Sequence, residues 1–244
     1  MSKLFALTKR NVKEIFRDPL SYVFSFGFPV VLLVILSLVM SNLDGQHVPT
    51  NFRVENFSVG ICVFGYTFDT LFIAIMIGAD KNSEFLKRIE IAPVPRGSYL
   101  LSFACAIAPT VIAQTLTVFA ISFIFGLQVS AKVLLAALYL MPSAFLYVSI
   151  GLLIGVLAKN EKQVGPFCSV LISFTSVFGG VFMDVSLLGK FENVLLILPF
   201  THSVKIATGV FEGNFGCIWS EVPWVLGYAA LFCMLAVFLK ERKK

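Results

Sequence analysis

DKNSEFLKRIEIAPVPRGSYLL, residues 80–101, is the longest charged interruption between membrane-length apolar runs on the basic side of this protein. Its first half predicts a short helix in which acidic residues precede basic ones, as the helix dipole favours. Asn82 is placed to cap this helix, and Pro93 ends it because proline cannot continue the hydrogen-bond ladder. Its apolar face is expected to consist of Phe85, Leu86, Ile89 and Ala92. We therefore expect a rigid amphipathic element between two spans, and we call residues 80–98 the charged loop.

The composition of the whole chain is that of a membrane protein. Hydrophobic residues make up 58% and charged residues 14% of the 244 residues, whereas soluble domains carry about 25% charged residues. The five cysteines lack the paired spacing of a disulfide framework or a metal site, so we expect no bound metal. We also expect no cleaved signal peptide, because the basic start is long and no small-residue cleavage site follows the first apolar run.

The hydropathy pattern predicts an all-α membrane protein, a single transmembrane domain over residues 1–244. Residues 1–18 are expected to form an amphipathic helix at the headgroup boundary, with lysines and arginines that reach lipid phosphates. Pro29 is expected to kink the first span. Six transmembrane helices are predicted, at residues 20–41, 57–79, 99–125, 131–158, 164–183 and 222–239.

Lysine and arginine are distributed unequally between the two sides of these spans. Fifteen of the nineteen lie in the amino-terminal segment, the charged loop, the 159–163 loop and the tail. The other four are Arg53, Lys132, Lys190 and Lys205. Because basic loops stay cytoplasmic, both termini and the charged loop are predicted to face the cytosol. The net charge of +5 therefore reflects membrane topology, and we expect no nucleic-acid partner.

Residues 184–221, between the fifth and sixth predicted spans, are unusually apolar for a segment outside the membrane. They contain two apolar stretches, 187–200 and 202–211, that are too apolar for an external loop and too short to span a bilayer. The pattern favours two short helices, divided by Pro199, that re-enter the outer leaflet. A helical hairpin on the membrane surface stays open as the alternative.

Three polar residues inside the predicted spans are candidates for a transport pathway. Asp69 is the only ionisable residue well inside a span, where a charge costs a few kcal/mol and faces the bundle interior or water. Thr67 lies beside it in the sequence. Gln114 lies among threonines of the third span, a pattern that favours hydrogen bonds between helices. A pathway role and a structural role for Asp69 are both consistent with the sequence.

Two glycine pairs lie in apolar runs. Gly151 and Gly155 form a GxxxG pattern, which allows close helix approach; among so many glycines, chance or internal packing is favoured over a dimer contact. Gly179 and Gly180 are consistent with a hinge or with a simple helix stop.

The sequence lacks the common motifs of soluble enzymes. It contains no GxxxxGK[ST], HExxH or GxSxG pattern. Its two histidines, His47 and His202, lie in separate external segments. We therefore expect neither a nucleotide-cradling loop nor one of these common hydrolase arrangements.

The order of these features resembles the type-2 ABC exporter permeases. The charged loop carries the specific similarity, since D-K, E-F-L-K-R-I, A-P-V-P-R and Y-L-L resemble the family's acidic-basic, LKRL, P-PR and YLL patterns. The stretches 178–182 and 198–202 resemble its second signature. The residues implied to couple to an ATPase are Glu84, Phe85, Leu86, Lys87, Arg88, Ile89, Pro93, Pro95 and Arg96. The implied candidates for a re-entrant gate are Gly179, Gly180, Pro199 and His202.

This resemblance implies a permease of the plasma membrane that binds no cofactor itself. Two such subunits, identical or paired with a sister permease, would enclose a pathway for a hydrophobic or amphipathic compound, drug-like or lipid-like. Separate ATPase subunits would use ATP and Mg and dock on the charged loop, and lipids would surround the spans.

A proton-coupled secondary transporter with Asp69 as the carrier is the competing hypothesis. It predicts an internal repeat, and residues 20–125 and 131–239 show no convincing similarity. An intramembrane enzyme is a weaker third possibility, since no paired polar catalytic groups are evident.

Overall fold

The computed structural model describes residues 3–42, 49–81, 83–91, 95–183, 185, 189 and 192–242, and every regular element among them is helical. The all-α prediction is therefore confirmed. In chain order the α-helices are α1 (Lys3–Arg17), α2 (Pro19–Tyr22), α3 (Phe28–Ser41), α4 (Val54–Lys81), α5 (Glu84–Ile91), α6 (Arg96–Ser122), α7 (Ala131–Tyr139), α8 (Met141–Leu157), α9 (Glu161–Phe178), α10 (Glu192–Leu195), α11 (Pro199–Glu212) and α12 (Phe215–Arg242). A π-helix joins α2 to α3, and short 3-10 helices precede α4 and follow α6.

Five helical stretches of the described residues are long and apolar enough to cross a membrane. They are Val23–Ser41, Val54–Lys81, Gly97–Phe125, Ala131–Leu157 and Ile218–Arg242. The fifth predicted span corresponds to α9, which begins with Glu161 and Lys162 and is not among the five. The count of six spans therefore stays a prediction.

Helix α4 lies at the centre of the bundle. It contacts α3, α6, α8, α9 and α11, and every side chain from 57 to 70 is buried. In the first and last spans, by contrast, only 22% and 17% of the residues are buried. A helix that is apolar on all sides is stable only when neighbours or lipid surround it. Here neighbouring helices of the same chain surround α4.

Glycines allow α8 to approach α4 closely. A Cβ atom on Gly151 would lie 2.8 Å from the carbonyl oxygen of Thr70, and one on Gly155 would lie 2.8 Å from the Cβ of Ile77. Apolar side chains have no hydrophobic preference for each other over lipid tails, so close van der Waals packing must hold membrane helices together. The prediction that this GxxxG pattern serves internal packing is confirmed.

Polar side chains add hydrogen bonds between α4 and its neighbours. The hydroxyl oxygens of Tyr66 and Thr115 are 2.6 Å apart, which joins α4 to α6. Thr70 Oγ1 donates to the carbonyl oxygen of Tyr147 at 2.7 Å, which joins α4 to α8. In lipid such bonds stabilise by about 1 kcal/mol each.

The predicted span boundaries differ from the helices in several places. Helix α4 is longer than 57–79 at both ends, because the charged residues Glu55, Asp80 and Lys81 continue it. The irregularity predicted for Pro29 is a π-helix just before it, at Val23–Gly27. The fourth span is interrupted at Leu140, before a proline in the first turn of α8. Helix α12 begins at Phe215, so it includes the end of the 184–221 segment.

The two helices predicted within 184–221 are unequal. The first is reduced to the four-residue α10 among the described residues, and most of 184–191 lies outside them. Pro199 is the first residue of α11, where its missing N–H costs nothing. Helix α11 contacts α4, α7, α9 and α12.

Candidate functional site

Arg10 of α1 joins three helices where the charged loop begins. Its Nη1 donates to Asp80 Oδ2 at 2.8 Å and its Nη2 to Asp80 Oδ1 at 2.6 Å, a bidentate pair with the last turn of α4. Its guanidinium carbon lies 4.0 Å from the ring centroid of Phe85 in α5. Tyr99 in α6 donates its hydroxyl to the same carboxylate at 3.0 Å. Asp80 is only 2% exposed, so this carboxylate depends on protein partners.

Neighbouring side chains fix the same cluster. Asn11 is buried in the α1–α6 contact and donates its Nδ2 to Ser102 Oγ at 2.9 Å. Glu14 pairs with Arg10 Nη2 at 2.9 Å. Burial raises the pKa of Glu14, and the Arg10 charge opposes that shift. Burial would lower the pKa of Arg10, but hydrogen bonding and the charge of Asp80 outweigh it and raise that pKa. Arg10 therefore stays charged.

Helix α5 presents one side to the bundle and one to the surroundings. Ser83 Oγ accepts a hydrogen bond from the Leu86 N–H at 3.4 Å, so Ser83 is the residue that caps α5. The predicted cap, Asn82, lies outside the described residues, as do Ala92 and Pro93. Leu86 is buried and Ile89 packs on the core, as predicted for the apolar face.

The remaining candidates for coupling belong to α5 or to the start of α6. Glu84 is exposed, and so is Pro95 just before α6. Lys87 and Arg88 belong to α5, and Arg96 is the first residue of α6. Ile91 is 86% exposed at the end of α5. An exposed aliphatic residue beside charged ones is suited to a protein contact.

Lys81 links the charged loop to a further helix. Its Nζ donates to the carbonyl oxygens of Val156, at 2.8 Å, and Ala158. These groups lie at the carboxyl end of α8, where carbonyls lack intrahelical partners and a cation is favoured. Two consecutive residues of α4 thus bind two different helices: Asp80 binds α1 and Lys81 binds α8.

The three pathway candidates are fully buried within this chain. Asp69 Oδ1 accepts a hydrogen bond from Ser25 Oγ of the π-helix at 2.8 Å, and Oδ2 has no partner among the described residues. Thr67 donates its hydroxyl to the Phe64 carbonyl of its own helix at 2.6 Å. The amide of Gln114 packs on Gly65, and the described residues give it no hydrogen-bond partner. Of the polar residues of the third span that were predicted to bond between helices, Thr115 does so, with Tyr66 of α4.

Two of the gate candidates line a small cavity. Gly179 and Gly180 end α9, and Gly180 has a left-handed backbone with φ of +83°. Together with Thr201 of α11 they line a cavity of about 180 Å³. Thr201 Oγ1 also donates to the Phe178 carbonyl at 3.2 Å, so the end of α9 contacts the start of α11.

His202 faces away from that cavity and joins α11 to α12. Its Nδ1 pairs with Glu221, its Nε2 contacts the Leu196 carbonyl oxygen at 2.7 Å, and its ring stacks on Trp224 with centroids 5.5 Å apart. The sequence suggested an ordinary external histidine, whereas this one is buried because the start of α12 covers it.

The sequence alone does not predict the partners of Arg10 and Asp80, or those of His202. Arg10 was interpreted as a lipid-facing cation and Asp80 as a loop residue. One local signal for the first cluster was Asn11, a polar residue at the buried spacing of Leu7 and Ile15. A buried amide requires a partner, so Asn11 indicates a second helix against α1.

Comparison with known proteins agrees with this architecture. The family model described as ABC-2 type transporter matches residues 2–211, which include α1, the charged loop and nearly all of α11. No curated protein that was compared with the chain matches it.

Proposed function

The chain belongs to the ABC-2 type transporter family, and we propose that it is the permease of an ATP-driven exporter whose separate ATPase subunits dock on the charged loop. Members of this family are multi-pass membrane permease components and are generally non-catalytic. They typically pair with ABC ATPase subunits. ATP and Mg are then used by the partner, and this chain converts the motion of the partner into movement of its helices.

The observation that carries this proposal is the Arg10 cluster. One guanidinium contacts α5 through Phe85 and α4 through Asp80, and Tyr99 adds α6 to the same carboxylate. A force applied to the exposed side of α5 is therefore delivered to three further helices. A bidentate pair transmits such a force better than a flexible single contact because its geometry is fixed at two points.

Helix α4 is suited to carry that motion into the membrane. It runs without interruption through 28 residues, a length of about 42 Å at 1.5 Å per residue. Asp69 lies near its middle and contacts the π-helix of the first span. Movement at the charged loop therefore reaches the centre of the bundle along one rigid element.

The exposed face of α9 supports a second subunit. Helix α9 buries Val164, Cys168 and Leu171 against the rest of the chain. Its opposite face exposes Phe167, Ser169, Val170, Ser173 and Phe174. As a whole helix, α9 is not among the five stretches that are apolar enough to cross a membrane. We place a second permease subunit, identical or a sister, across the pathway from it. Its aromatic rings suit a hydrophobic or amphipathic substrate, drug-like or lipid-like.

The proposal also covers the external segment, residues 184–221, and the orientation of the chain in the membrane. Helix α11 buries nine residues among four other helices, which favours re-entry into the outer leaflet over a position on the membrane surface. The excess of lysine and arginine on the side of α1 and the charged loop supports a cytosolic position for both termini, and the plasma membrane is the proposed location.

Charge reversal in the charged loop tests ATPase docking. The double variant Lys87→Glu/Arg88→Glu is expected to lose co-purification of the ATPase while it inserts into the membrane at normal levels. The matched control Lys159→Glu/Lys162→Glu reverses the same number of charges at an exposed site on the same side. If the ATPase still co-purifies with the first variant, α5 is not the docking element.

Energy coupling is tested by transport in proteoliposomes. Transport is expected to continue when the proton gradient is collapsed and ATP is supplied, and to stop with a partner ATPase that cannot hydrolyse ATP. Transport that follows the gradient and ignores ATP would support a secondary transporter that uses Asp69.

A further inference from the structure

A ridge of cations on α1 is not used by the Arg10 cluster. Lys9, Lys13 and Arg17 are spaced by four residues, so they form one line along the helix. All three are exposed, and none forms an ion pair with a described residue. They line a groove of about 770 Å³ that continues to Pro19, where the chain turns into the first span.

The charge of this groove is positive overall. Arg10 also lines it, and the acidic residues in it are Glu14 and Asp18. Arg10 and Glu14 are already paired with each other, and Arg10 with Asp80. The cations that a ligand can contact are therefore those of the ridge. Three cations in a line suit an anion larger than a single carboxylate.

Exposed aromatic side chains lie beside the ridge. Phe5 and Phe16 are 59% and 66% exposed, and their spacing of eleven residues puts them on one helix face. The Phe16 ring lies 6.0 Å from that of Tyr22, which lies 6.1 Å from that of Phe26. An aromatic row thus continues from α1 onto the outer surface of the first span.

We propose that this groove binds the headgroup of an anionic phospholipid in the cytoplasmic leaflet. Lys9, Lys13 and Arg17 contact its phosphate and anionic headgroup, and its acyl chains lie along Phe16, Tyr22 and Phe26. A soluble protein partner would have to supply both acidic groups and an apolar surface where the chain enters the first span, whereas one anionic lipid supplies a charged headgroup and acyl chains in that order. The inference rests on the cytoplasmic placement of α1 in the proposed function, but not on the docking of the ATPase.

Lipid titration of the purified full-length permease tests this site. Native mass spectrometry of the delipidated protein is expected to detect tighter binding of phosphatidylglycerol than of phosphatidylcholine. The variant Lys9→Gln/Lys13→Gln is expected to weaken phosphatidylglycerol binding roughly 30-fold, because each cation near a charged membrane surface contributes about a factor of five. The control Lys159→Gln/Lys162→Gln removes two exposed cations that are remote in sequence from the aromatic row, and is expected to bind as wild type.

Three results would overturn the proposal. The first is equal binding of the two lipids, and the second is an unchanged affinity in the Lys9→Gln/Lys13→Gln variant. The third is displacement of the lipid by millimolar glycerol phosphate, which would show that the groove holds a free phosphate. In the second case, loss of the ATPase by the same variant would identify the groove as a protein contact. Failure of α5 docking alone leaves these lipid results unchanged, so the two proposals fail separately.

Discussion

Removing the charge of Arg10 is expected to destabilise the permease more than removing the charge of Asp80. Arg10→Gln leaves a carboxylate that is 2% exposed and whose one remaining side-chain partner among the described residues is the Tyr99 hydroxyl. Loss of one partner of a buried ion pair costs about 3 kcal/mol or more. Asp80→Asn leaves a guanidinium whose side chain is 32% exposed and can be hydrated. Asp80→Asn then loses only charge-assisted hydrogen bonds, which lowers the free energy of unfolding by about 1.5 kcal/mol.

The double variant separates this pair from its surroundings. Arg10→Gln/Asp80→Asn leaves no deeply buried charge unpaired, because Glu14, which also loses Arg10, has a side chain that is 41% exposed. We therefore expect it to cost about 2 kcal/mol, well below the sum of the single variants. Reversible unfolding in mixed micelles of detergent and dodecyl sulfate measures each free energy of unfolding. Arg242→Gln is the control. This exposed arginine lies over the Phe238 ring, with its guanidinium carbon 4.5 Å from the ring centroid, so its replacement should cost less than about 1 kcal/mol.

A functional readout accompanies the stability measurement. Under the proposed coupling, Arg10→Gln retains the ATPase on α5 but loses substrate-stimulated ATP hydrolysis, because the Arg10 link from Phe85 of α5 to Asp80 of α4 is lost. Additive costs of the two single variants, within about 0.5 kcal/mol, would show that Arg10 and Asp80 are not coupled. Full stimulation in Arg10→Gln would show that the cluster does not transmit motion.

Three further variants test the interior. Gly155→Ala is expected to cost about 1–3 kcal/mol in unfolding free energy, because its Cβ would press on α4, whereas Gly165→Ala, with nothing within 4 Å, should be nearly neutral. Asp69→Asn keeps an acceptor for Ser25 and is expected to lower transport at normal membrane levels, while Asp69→Leu should also lower expression; full transport by the Asn variant would exclude a pathway role. His202→Gln should speed hydrogen exchange in α11, since it loses the ring stack on α12, and unchanged exchange would contradict that role.

The elements that sequence predicts well are those with a strong local pattern. The amphipathic period of α1 and the break at Asp18–Pro19 are contained within a few residues. The charged loop is predictable from the sequence for the same reason, because its pattern is local. The end of α4 was placed two residues early because hydropathy records where apolar residues stop, whereas Asp80 and Lys81 continue the helix with partners from α1 and α8.

The candidate site was less predictable because its contacts join distant parts of the chain. Arg10 and Asp80 are seventy residues apart, and no local pattern specifies which arginine meets which acid. The same holds for His202 and Glu221, which meet only after α12 packs on α11. The burial of Asp69 also depends on Ser25 in the π-helix, a feature that hydropathy does not reveal.

The arrangement of polar contacts explains why α4 can move as a unit with its neighbours. In lipid, apolar surfaces alone do not select one helix pairing over another, so close packing and polar contacts must do so. The glycines of α8 fit against the middle of α4, while Asp80 and Lys81 hold α1 and α8 at its cytoplasmic end. Helices that are fastened at two heights cannot slide past each other independently. A displacement of α5 therefore has to move α1, α4 and α8 together, or break the Arg10 pair first.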